Sequence, residues 1–511
     1  MTVIVPDIDK PDLTIAVLGA GTMGRGIAQI AAVAGITVLF ADAEDGASVR
    51  GKQFVVDMLD RSVAKGRMSE ADATGAKQRI EPQMAGDYSQ FERCDVVIEA
   101  IIENLDIKRE VFAQLEQATS ENCLLVTNTS SLSVTAIAAE CDHPERVAGF
   151  HFFNPVPLMK IVEVIAGVKT HPEAVRALCE LATRMGHQGV VAADTPGFIV
   201  NHAGRGFGTE AFRIVDEGVA DFATVDANMR LAANFRMGPF ELMDLTGLDV
   251  THVVMESIYN QFYDDPYFTP SHLGAQRVKA GLYGRKSTQG FYDYSSGEKV
   301  GAELPAVPEA RHPTVWISQV DNRGYEKALT LFTELGADID SGEAPAPNSV
   351  CIVTPLGDDA TTCAVQQGLD ATRTVALDTL FPLNKFRALM CTPVTTQPVI
   401  DGMHALLASD GVEVGILKDS PGFVAQRIVA TIVNIGCGIA QRNIATPEDI
   451  DTAVQLGLNY PSGPLAMGNA LEPQRIVTVL ENIHRFYQEP RYRVNPWLKR
   501  RAALGLSLLH K

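Results

Sequence analysis

The sequence lacks the features that mark membrane, secreted and zinc-binding proteins. No uninterrupted apolar run reaches the ~18 residues that a membrane-spanning helix needs. The N-terminal stretch Met1–Asp12 has neither the basic region nor the apolar core of a secretory signal. Its eight cysteines are scattered, without a Cys-x-x-Cys pair or a His/Cys cluster at zinc spacing. We therefore expect reduced thiols, no bound metal and a cytoplasmic location.

Basic residues are also in the minority. Against 62 Asp and Glu there are only 43 Lys and Arg, which gives a formal net charge of −19. This balance argues against a protein that coats nucleic acid or an anionic membrane, so neither is expected as a partner. With 46% hydrophobic residues over 511 positions, the chain is nevertheless apolar enough to fold, and long enough for several domains.

A glycine-rich turn follows the first apolar strand of the chain. The strand Leu13–Leu18 is followed by a helix from Arg25 to Ala34 and by a strand from Thr37 to Ala41 that ends on Asp42. Between the first strand and the helix stands Gly19-Ala-Gly21-Thr22-Met23-Gly24. Strand, G-x-G-x-x-G, helix, strand and acid in this order form the dinucleotide-binding fingerprint.

Each residue of this fingerprint has a physical task. Gly19 permits the tight turn, Gly21 lets the backbone approach a pyrophosphate, and Gly24 lets the helix pack close to the strand. Asp42 can accept both ribose hydroxyls and would repel a 2′-phosphate, so NAD is expected rather than NADP. The alternative is a glycine turn without a ligand.

Three more buried-strand patterns extend the predicted sheet: Cys94 to Ala100, Cys123 to Thr127 and Val147 to Phe153. Their alternation with helical stretches predicts a doubly wound α/β domain over residues 11–193. Polar residues follow each strand, where ligands of such sheets bind. They are Glu103 and Asn104, Asn128 to Ser131, and His151 to Pro155.

His151 and Glu163 are the candidate acid–base pair. Histidine can take and return a proton near neutrality, and a carboxylate on its other ring nitrogen would fix the tautomer. Beside an NAD site, such a pair suits oxidation of an alcohol, with Ser130, Asn154 and Asn201 as donors to the oxygen. The alternative is a structural histidine capped by a nearby acid.

The second half of the chain repeats the first. An offset of 225 residues superposes Asp194-Thr-Pro-Gly-Phe198 on Asp419-Ser-Pro-Gly-Phe423, and Gly238-Pro239 on Gly463-Pro464. This predicts all-α domains at 194–296 and 416–511. Strand patterns at Val315 to Ser318, Val350 to Thr354 and Val375 to Leu377 predict a reduced Rossmann-like domain at 313–415, without a glycine fingerprint.

We expect a single active site, in the first half. Asn201 corresponds to Gln426 in the second copy. The segment Arg387 to Pro393 is similar to Arg146 to Pro155, which places Met390 near the position of His151.

Residues 15–294 closely resemble the L-3-hydroxyacyl-CoA dehydrogenase family. The resemblance is carried by GAGTMGRGIAQ (19–29), VIEAIIENLDIK (97–108), NTSSL (128–132), HFFNPVPLMKIVEV (151–164), DTPGFIVN (194–201), MGPFELMDLTGLD (237–249) and GRKSTQGFYDY (284–294). It implies NAD-dependent oxidation of a (3S)-3-hydroxyacyl-CoA, with His151 as the catalytic base and Glu163 as its partner. Substrate contacts fall on Ser130 and Asn201. The NAD contacts that the resemblance implies fall on Gly19, Gly21, Thr22, Met23, Gly24, Asp42, Glu103, Lys108, Ser130, Asn154 and Lys286.

The whole-chain layout resembles a longer bacterial branch of this family, which includes enzymes acting on 3-hydroxybutyryl-CoA and on 3-hydroxyadipyl-CoA in phenylacetate breakdown. The basic residues Arg61, Lys65 and Arg67 lie where the family holds a CoA phosphate, although a solvated helix face explains them equally well. A monomer and a homodimer both remain open. So do two other functions, a dehydrogenase of a free hydroxy acid and a catalytically silent NAD-binding scaffold.

Overall fold

A computed structural model describes residues 5–510, so the first four residues of the N-terminal stretch lie outside it. The first half is built on an eight-stranded sheet in the order β3-β2-β1-β4-β5-β6-β7-β8. Neighbouring strands are parallel except β6 and β7, which are antiparallel. The strands β1 to β8 are Thr14–Leu18, Thr37–Ala41, Ile80–Pro82, Val96–Glu99, Leu124–Thr127, Val147–Phe152, Ile161–Ala166 and Gln188–Ala193.

Helices cover both faces of this sheet, and for this reason its central strands are apolar on both sides. In β1, Ile15 and Val17 join one buried cluster, whereas Ala16 and Leu18 join the cluster on the opposite face. The helices α1 to α6 are Thr22–Val33, Ala47–Ala64, Glu70–Arg79, Leu105–Ala118, Val134–Ala138 and Pro172–Arg184. This is the predicted doubly wound domain.

An all-α segment follows, as predicted, and its first helix begins at Val200. Its helices α7 to α12 are Val200–Ala203, Arg205–Asp216, Phe222–Leu231, Pro239–Thr246, Leu248–Gln261 and His272–Lys279.

The second half has a smaller sheet of six strands in the order β10-β9-β11-β12-β13-β14. Its strands β9 to β14 are Val315–Ile317, Ile339–Asp340, Val350–Val353, Thr374–Leu377, Phe386–Cys391 and Glu413–Lys418. The helices α13 to α15, which accompany it, are Asn322–Glu334, Ala360–Gln367 and Gln397–Leu407. The last helices, α16 to α20, are Ala425–Gln441, Pro447–Leu458, Pro464–Ala470, Pro473–Tyr487 and Pro496–Leu504. The predicted fold class is therefore confirmed.

Hydrogen bonds at two helix starts identify the strands that the second sheet has lost. Asp194 accepts the N–H groups of Val134 and Thr135 at the start of α5, at 3.1 and 2.7 Å. In the second half, Asp419 accepts those of Ala360 and Thr361 at the start of α14, at 2.8 and 3.1 Å. Strand β11, which precedes α14, is thus the counterpart of β5. The six strands correspond to β1, β2, β5, β6, β7 and β8, and residues 5–510 contain no counterparts of β3 and β4.

The predicted position of Met390 is wrong. Met390 lies in β13, which pairs antiparallel with β12 as β7 pairs with β6, so β13 corresponds to β7. His151 pairs with Glu163 across the first antiparallel pair. The 225-residue offset places Ala388 at the position of Glu163, and Asp378 donates its backbone N–H to the Ala388 carbonyl at 3.2 Å. Asp378, not Met390, therefore stands at the position of His151.

The chain divides into two compact units, one of Met1–His202 with Arg442–Asn459 and the other of Ala203–Gln441 with Tyr460–Lys511. In the first unit, α17 packs on β7 and β8, and the N–H of Ala193 donates to the carbonyl of Ile444 at 2.8 Å. In the second, α9 packs on β13 and β14, and the N–H of Lys418 donates to the carbonyl of Val219 at 3.0 Å. Each sheet is thus covered by the helix that belongs to the other copy in sequence. Within residues 5–510, no helix combines the length and the apolarity needed to cross a membrane.

Candidate active site

The glycine turn between β1 and α1 has the shape of a phosphate cradle. A Cβ on Gly19 would lie 2.4 Å from the carbonyl oxygen of Ala100, and one on Gly24 would lie 1.7 Å from that of Gly19. A Cβ on Gly21 would have no described heavy atom within 4 Å, so open space adjoins this residue. Since α1 begins at Thr22 with Met23 behind it, the free N–H groups of its first turn adjoin that space.

Asp42 completes the nucleotide end of the site. Its carboxylate accepts the N–H of Ala20 at 2.6 Å and that of Glu44 at 2.9 Å, which fixes it beside the glycine turn at the end of β2. Each oxygen keeps a second lone pair for a hydroxyl. A pyrophosphate on the turn and a ribose on Asp42 therefore fit the residues present.

Lys108 is a buried member of an ion-pair network. Its side chain is 1% exposed, and its Nζ lies 2.6 Å from Glu99 Oε1 and 3.4 Å from Glu103 Oε2. The other oxygen of Glu99 accepts the Thr127 hydroxyl at 2.7 Å. Sequence reasoning missed Glu99, although an acid inside the apolar strand β4 was a visible signal. The ammonium of Lys108 is thus occupied within the protein, at the carboxyl edge of the sheet.

Glu103 holds the loop that carries Ser130. Its Oε1 accepts the Thr129 hydroxyl at 2.7 Å and the N–H groups of Ser130 and Ser131 at 3.0 and 3.1 Å. Burial acts to raise the pKa of Glu103, but the Thr129 hydrogen bond and the Lys108 charge outweigh it and lower this pKa below its ordinary value. An ionised Glu103 therefore fixes the position of Ser130.

His151 and Glu163 form a buried pair on the antiparallel strands β6 and β7. His151 Nδ1 lies 2.7 Å from Glu163 Oε2, with the two side chains 6% and 0% exposed. Glu163 Oε1 accepts the N–H groups of Ile199 and Val200, each at 2.9 Å. Since the carboxylate can only accept, Nδ1 carries the proton, and Nε2 keeps its lone pair without a hydrogen-bond partner in residues 5–510.

Two aromatic rings limit the movement of the imidazole. The ring of Phe153 lies 4.5 Å from that of His151, and the ring of Phe198 lies 5.9 Å away. Phe198 has φ of +48° in the turn just before Ile199 and Val200. The same turn thus supplies a wall of the site and the two donors to Glu163.

The remaining predicted residues lie in several places. Asn154 is exposed just after β6, and Asn201 follows Val200 in α7. Only Arg61 belongs to α2, because this helix ends at Ala64 before Lys65 and Arg67, and all three are exposed. Lys286 belongs to the second compact unit, where its ammonium lies 2.5 Å from Asp249.

Comparisons with known proteins agree with this geometry. The model of the 3-hydroxyacyl-CoA dehydrogenase NAD binding domain matches residues 14–195. The model of the C-terminal domain of the same family matches twice, at residues 197–294 and 422–507. The chain belongs to the 3-hydroxyacyl-CoA dehydrogenase family. The double match also supports duplication of the helical segment.

Named relatives match either almost the whole chain or about half of it. The 3-hydroxyadipyl-CoA dehydrogenase of Escherichia coli K12 is 38% identical over 96% of this chain and 98% of its own. A probable 3-hydroxybutyryl-CoA dehydrogenase of Bacillus subtilis is 41% identical over 55% of this chain and 96% of its own. The crystal structure of 3-hydroxybutyryl-CoA dehydrogenase from Escherichia coli K12 superposes with a TM-score of 0.85, at 36% identity, over 96% of this chain and 98% of that one.

Family and fold together define the reaction class. The chain is an NAD-dependent oxidoreductase that acts on the CH–OH group of hydroxyacyl-CoA substrates.

Proposed function

We propose that the chain oxidises (3S)-3-hydroxyacyl-CoA to 3-oxoacyl-CoA, with His151 as the general base and Glu163 as its charge partner. The observation that carries this proposal is the 2.7 Å contact between His151 Nδ1 and Glu163 Oε2. Because this contact uses Nδ1, the lone pair of Nε2 stays free on the opposite side of the ring and can receive a proton. A histidine that served only structure would not need its second nitrogen free at the edge of a nucleotide site.

The residues divide the reaction between them. Nε2 of His151 takes the proton of the 3-hydroxyl while the hydrogen on C3 leaves as hydride, so that the C–O bond becomes a carbonyl. Bound NAD supplies the hydride acceptor. Glu163 stabilises the imidazolium that forms, and Ser130 and Asn201 donate hydrogen bonds to the substrate oxygen.

NAD would be held by the glycine turn and by Asp42. The first turn of α1, with Thr22 and Met23, would offer its free N–H groups to the pyrophosphate. Glu103 and Lys108 act indirectly, because Glu103 binds the Ser130 loop and Lys108 pairs with Glu103. Contacts of Asn154 and Lys286 to the cofactor are part of the same proposal.

One assay separates this function from its two alternatives. NADH formation is measured with 3-hydroxybutyryl-CoA and with free 3-hydroxybutyrate, for the wild type and for His151→Ala. We expect turnover of the CoA ester alone and a loss of about 10³-fold or more in His151→Ala. The exposed histidine variant His143→Ala is the control and keeps full activity. Turnover of only the free acid contradicts the proposal that the substrate is a CoA ester. NADH binding without any turnover indicates a catalytically silent scaffold.

We further propose that Arg61 in the last turn of α2, with Lys65 and Arg67 just after this helix, binds a CoA phosphate. Arg61, Lys65 and Arg67 are exposed, and none forms an ion pair within residues 5–510. The triple alanine variant should raise KM for the CoA ester about tenfold and leave KM for NAD unchanged. A lower ionic strength should reduce KM in the wild type alone. An unchanged KM identifies the three residues as a solvated helix end.

The length and the distal end of the substrate's acyl chain are a further part of the proposal. The Escherichia coli relative that extends over the whole chain is a 3-hydroxyadipyl-CoA dehydrogenase, which favours a medium-length acyl chain with a distal carboxylate. Comparison of kcat/KM for 3-hydroxybutyryl-, longer 3-hydroxyacyl- and 3-hydroxyadipyl-CoA tests this. A preference for the uncharged esters excludes the dicarboxylic substrate.

We also propose a monomer in the cytoplasm, with no nucleic-acid partner. The monomer is supported by α9 and α17, each of which packs on the sheet of the other copy within the same chain. All eight cysteines are free thiols, as a reducing compartment requires. The division into four domains at 11–193, 194–296, 313–415 and 416–511 stays a prediction.

A further inference from the structure

The support of Glu163 comes from a turn that is itself covered by the second half of the chain. Glu163 Oε1 receives its two hydrogen bonds from the backbone of Ile199 and Val200. Val200 is 1% exposed. A Cβ placed on Gly457 of α17 would lie 2.9 and 3.0 Å from the two methyl carbons of Val200. Gly457 therefore packs directly on the residue whose N–H holds the carboxylate, with no room for a methyl group.

The turn has little freedom to give way. Gly197 has φ of +75° and Phe198 has φ of +48°, and this pair of left-handed residues aims two successive N–H groups at one oxygen. The backbone N–H of Val200 donates to Glu163, and its side chain packs against Gly457. A shift of Val200 is thus transmitted to the hydrogen bonds of Glu163.

The helix that carries Gly457 is fixed to the same sheet. Helix α17 packs on β7, which carries Glu163, and on β8. The segment before it is joined to β8 by the hydrogen bond from Ala193 to the carbonyl of Ile444, at 2.8 Å. Val200 is therefore held between Glu163 and a helix that is anchored to the strands of the site.

The second copy shows what the same positions contain where there is no catalytic pair. At the 225-residue offset, Val200 corresponds to Ala425, and Gly457 corresponds to Ala232. Ala388 stands in place of Glu163, so that copy has no carboxylate to position. Alanine favours a helix interior more than glycine does. The glycine at 457 is thus explained by the bulk of Val200 and not by the needs of the helix.

We propose that Gly457 is a positioning residue for the catalytic pair, through which the second half of the chain sets the placement of Glu163 against His151. This inference rests on the proposed roles of His151 and Glu163. It gives the duplicated helical segment a part in catalysis, because α17 clamps the turn that holds the carboxylate. Gly457 itself touches neither the substrate nor the cofactor.

A double-mutant cycle on the full-length protein tests the proposal. Gly457→Ala adds a methyl group against Val200, and Val200→Ala removes the bulk that it meets. We expect Gly457→Ala to lower kcat about tenfold, since a misplacement of ~1 Å near a reacting group costs about 10²-fold. KM for the CoA ester and the fluorescence-titrated number of NADH sites should remain unchanged. The double variant Val200→Ala/Gly457→Ala, which copies Ala425 and Ala232, should recover most of the lost kcat.

The matched control is Gly75→Ala, in α3 of the same compact unit, where the atoms nearest to the new Cβ belong to the guanidinium of Arg79, at 3.4 Å and beyond. This variant should keep wild-type kcat. Wild-type kcat in Gly457→Ala overturns the inference, and so does a double variant that recovers nothing. If Gly457→Ala does not fold, the double variant alone decides, because it must fold and turn over. Activity retained in His151→Ala contradicts the proposed function instead, whatever the Gly457 variants do.

Discussion

The imidazole of His151 is held at Nδ1 by one carboxylate and is flanked by two tilted aromatic rings. The carboxylate of Glu163 is in turn fixed by two backbone N–H groups and is fully buried. A buried acceptor with every oxygen engaged has one stable orientation, and this orientation decides which imidazole nitrogen can act as a base. The chemistry therefore depends on Glu163 as much as on the histidine.

Replacement of Glu163 by glutamine tests this dependence. An amide can donate to Nδ1, which would place the proton on Nε2 and remove the base. Glu163→Gln should lower kcat by about 10³-fold or more, as the loss of the correct tautomer does in catalytic triads. Steady-state NADH formation measures the change, and Glu173→Gln, at an exposed ion pair with Arg176, is the control. A Glu163→Gln enzyme with near-normal kcat would remove Glu163 from the mechanism.

Asp378 shows a different use of the position that corresponds to His151. It is buried, and its Oδ1 accepts the amide of Gln426 at 2.8 Å and the N–H of Leu380 at 3.0 Å. Burial raises the pKa of Asp378 from 3.8 to about 6, although the hydrogen bond from Gln426 acts to lower it. Gln426 is the residue that corresponds to Asn201. Where the first copy has the histidine, the second copy thus has a buried carboxyl group hydrogen-bonded to an amide.

The raised pKa gives a prediction for stability. Between pH 4 and 6 the unfolded chain releases the Asp378 proton while the folded chain keeps it, so this group lowers the unfolding free energy as pH rises and has no further effect above 6. Asp378→Asn keeps the neutral form. It should be more stable than the wild type at pH 8, by at most about 3 kcal/mol at roughly 1.4 kcal/mol per pKa unit.

Urea unfolding at pH 4.5 and pH 8 measures this difference, which should shrink at the lower pH, while kcat stays unchanged. The control is Asp370→Asn. Hydrogen bonds from Thr372 lower the pKa of this exposed carboxyl, so its replacement should bring no gain at pH 8. A destabilised Asp378→Asn at pH 8 would show that the carboxylate is ionised and favourable in the fold.

At the scale of elements, the glycine turn between β1 and α1 combines two separate requirements. Gly24 is needed by the fold, because its missing Cβ lets α1 approach the carbonyl of Gly19. Gly21 borders open space, so its missing Cβ leaves room for a ligand. The two glycines should therefore fail in different ways when each is replaced by alanine.

We expect Gly24→Ala to lower the unfolding free energy by about 1–3 kcal/mol, the usual cost of forced overpacking. Gly21→Ala should keep the melting temperature within about 2 °C of the wild type and weaken NADH binding at least tenfold, since a methyl group stands where the backbone meets the pyrophosphate. Thermal melting and NADH fluorescence titration separate the two effects. Equal losses of stability in both variants would contradict the division of tasks.

The elements near the fingerprint could be read from the sequence because their signals are local. The turn at Gly19 to Gly24, the acid at the end of β2 and the strand that carries His151 each lie within a short segment. The buried ion pair of Lys108 with Glu99 could not be found in this way, because it joins a strand and a helix whose packing is set by the whole sheet. Met390 was misplaced for a similar reason, since only the pairing of β12 with β13 shows which strand it occupies.

At the scale of the whole molecule, the duplicated segments meet along equivalent helices. Within the second compact unit, α8 packs on α16, and a Cβ on Gly206 would lie 3.3 Å from the side chain of Thr431, its counterpart at the 225-residue offset. Contact between equivalent positions is the mark of a two-fold arrangement. Here the two copies belong to one chain.

A buried arginine links α16 to α8. Arg427 of α16 is 0% exposed and pairs with Glu210 and Glu217, which belong to α8 and its end. The hydroxyls of Tyr487 and Tyr492 complete its hydrogen bonds, at 3.1 and 2.9 Å. Removal of one member of such a network leaves an uncompensated buried charge, at a cost of about 3–5 kcal/mol. The face of α8 therefore depends on the second half of the chain.

The same dependence predicts the oligomeric state. The full chain should behave as a monomer, because α16 and α17 already occupy the surfaces of α8 and of β7 and β8. A chain that ends at residue 296 loses both helices and leaves Glu210 without Arg427. It should self-associate into a dimer, since a second copy offers equivalent helices. Light scattering over a range of concentrations measures both proteins. A full chain that dimerises, or a monomeric 1–296 chain as stable as the full one, would show that the second half does not stand in for a partner subunit.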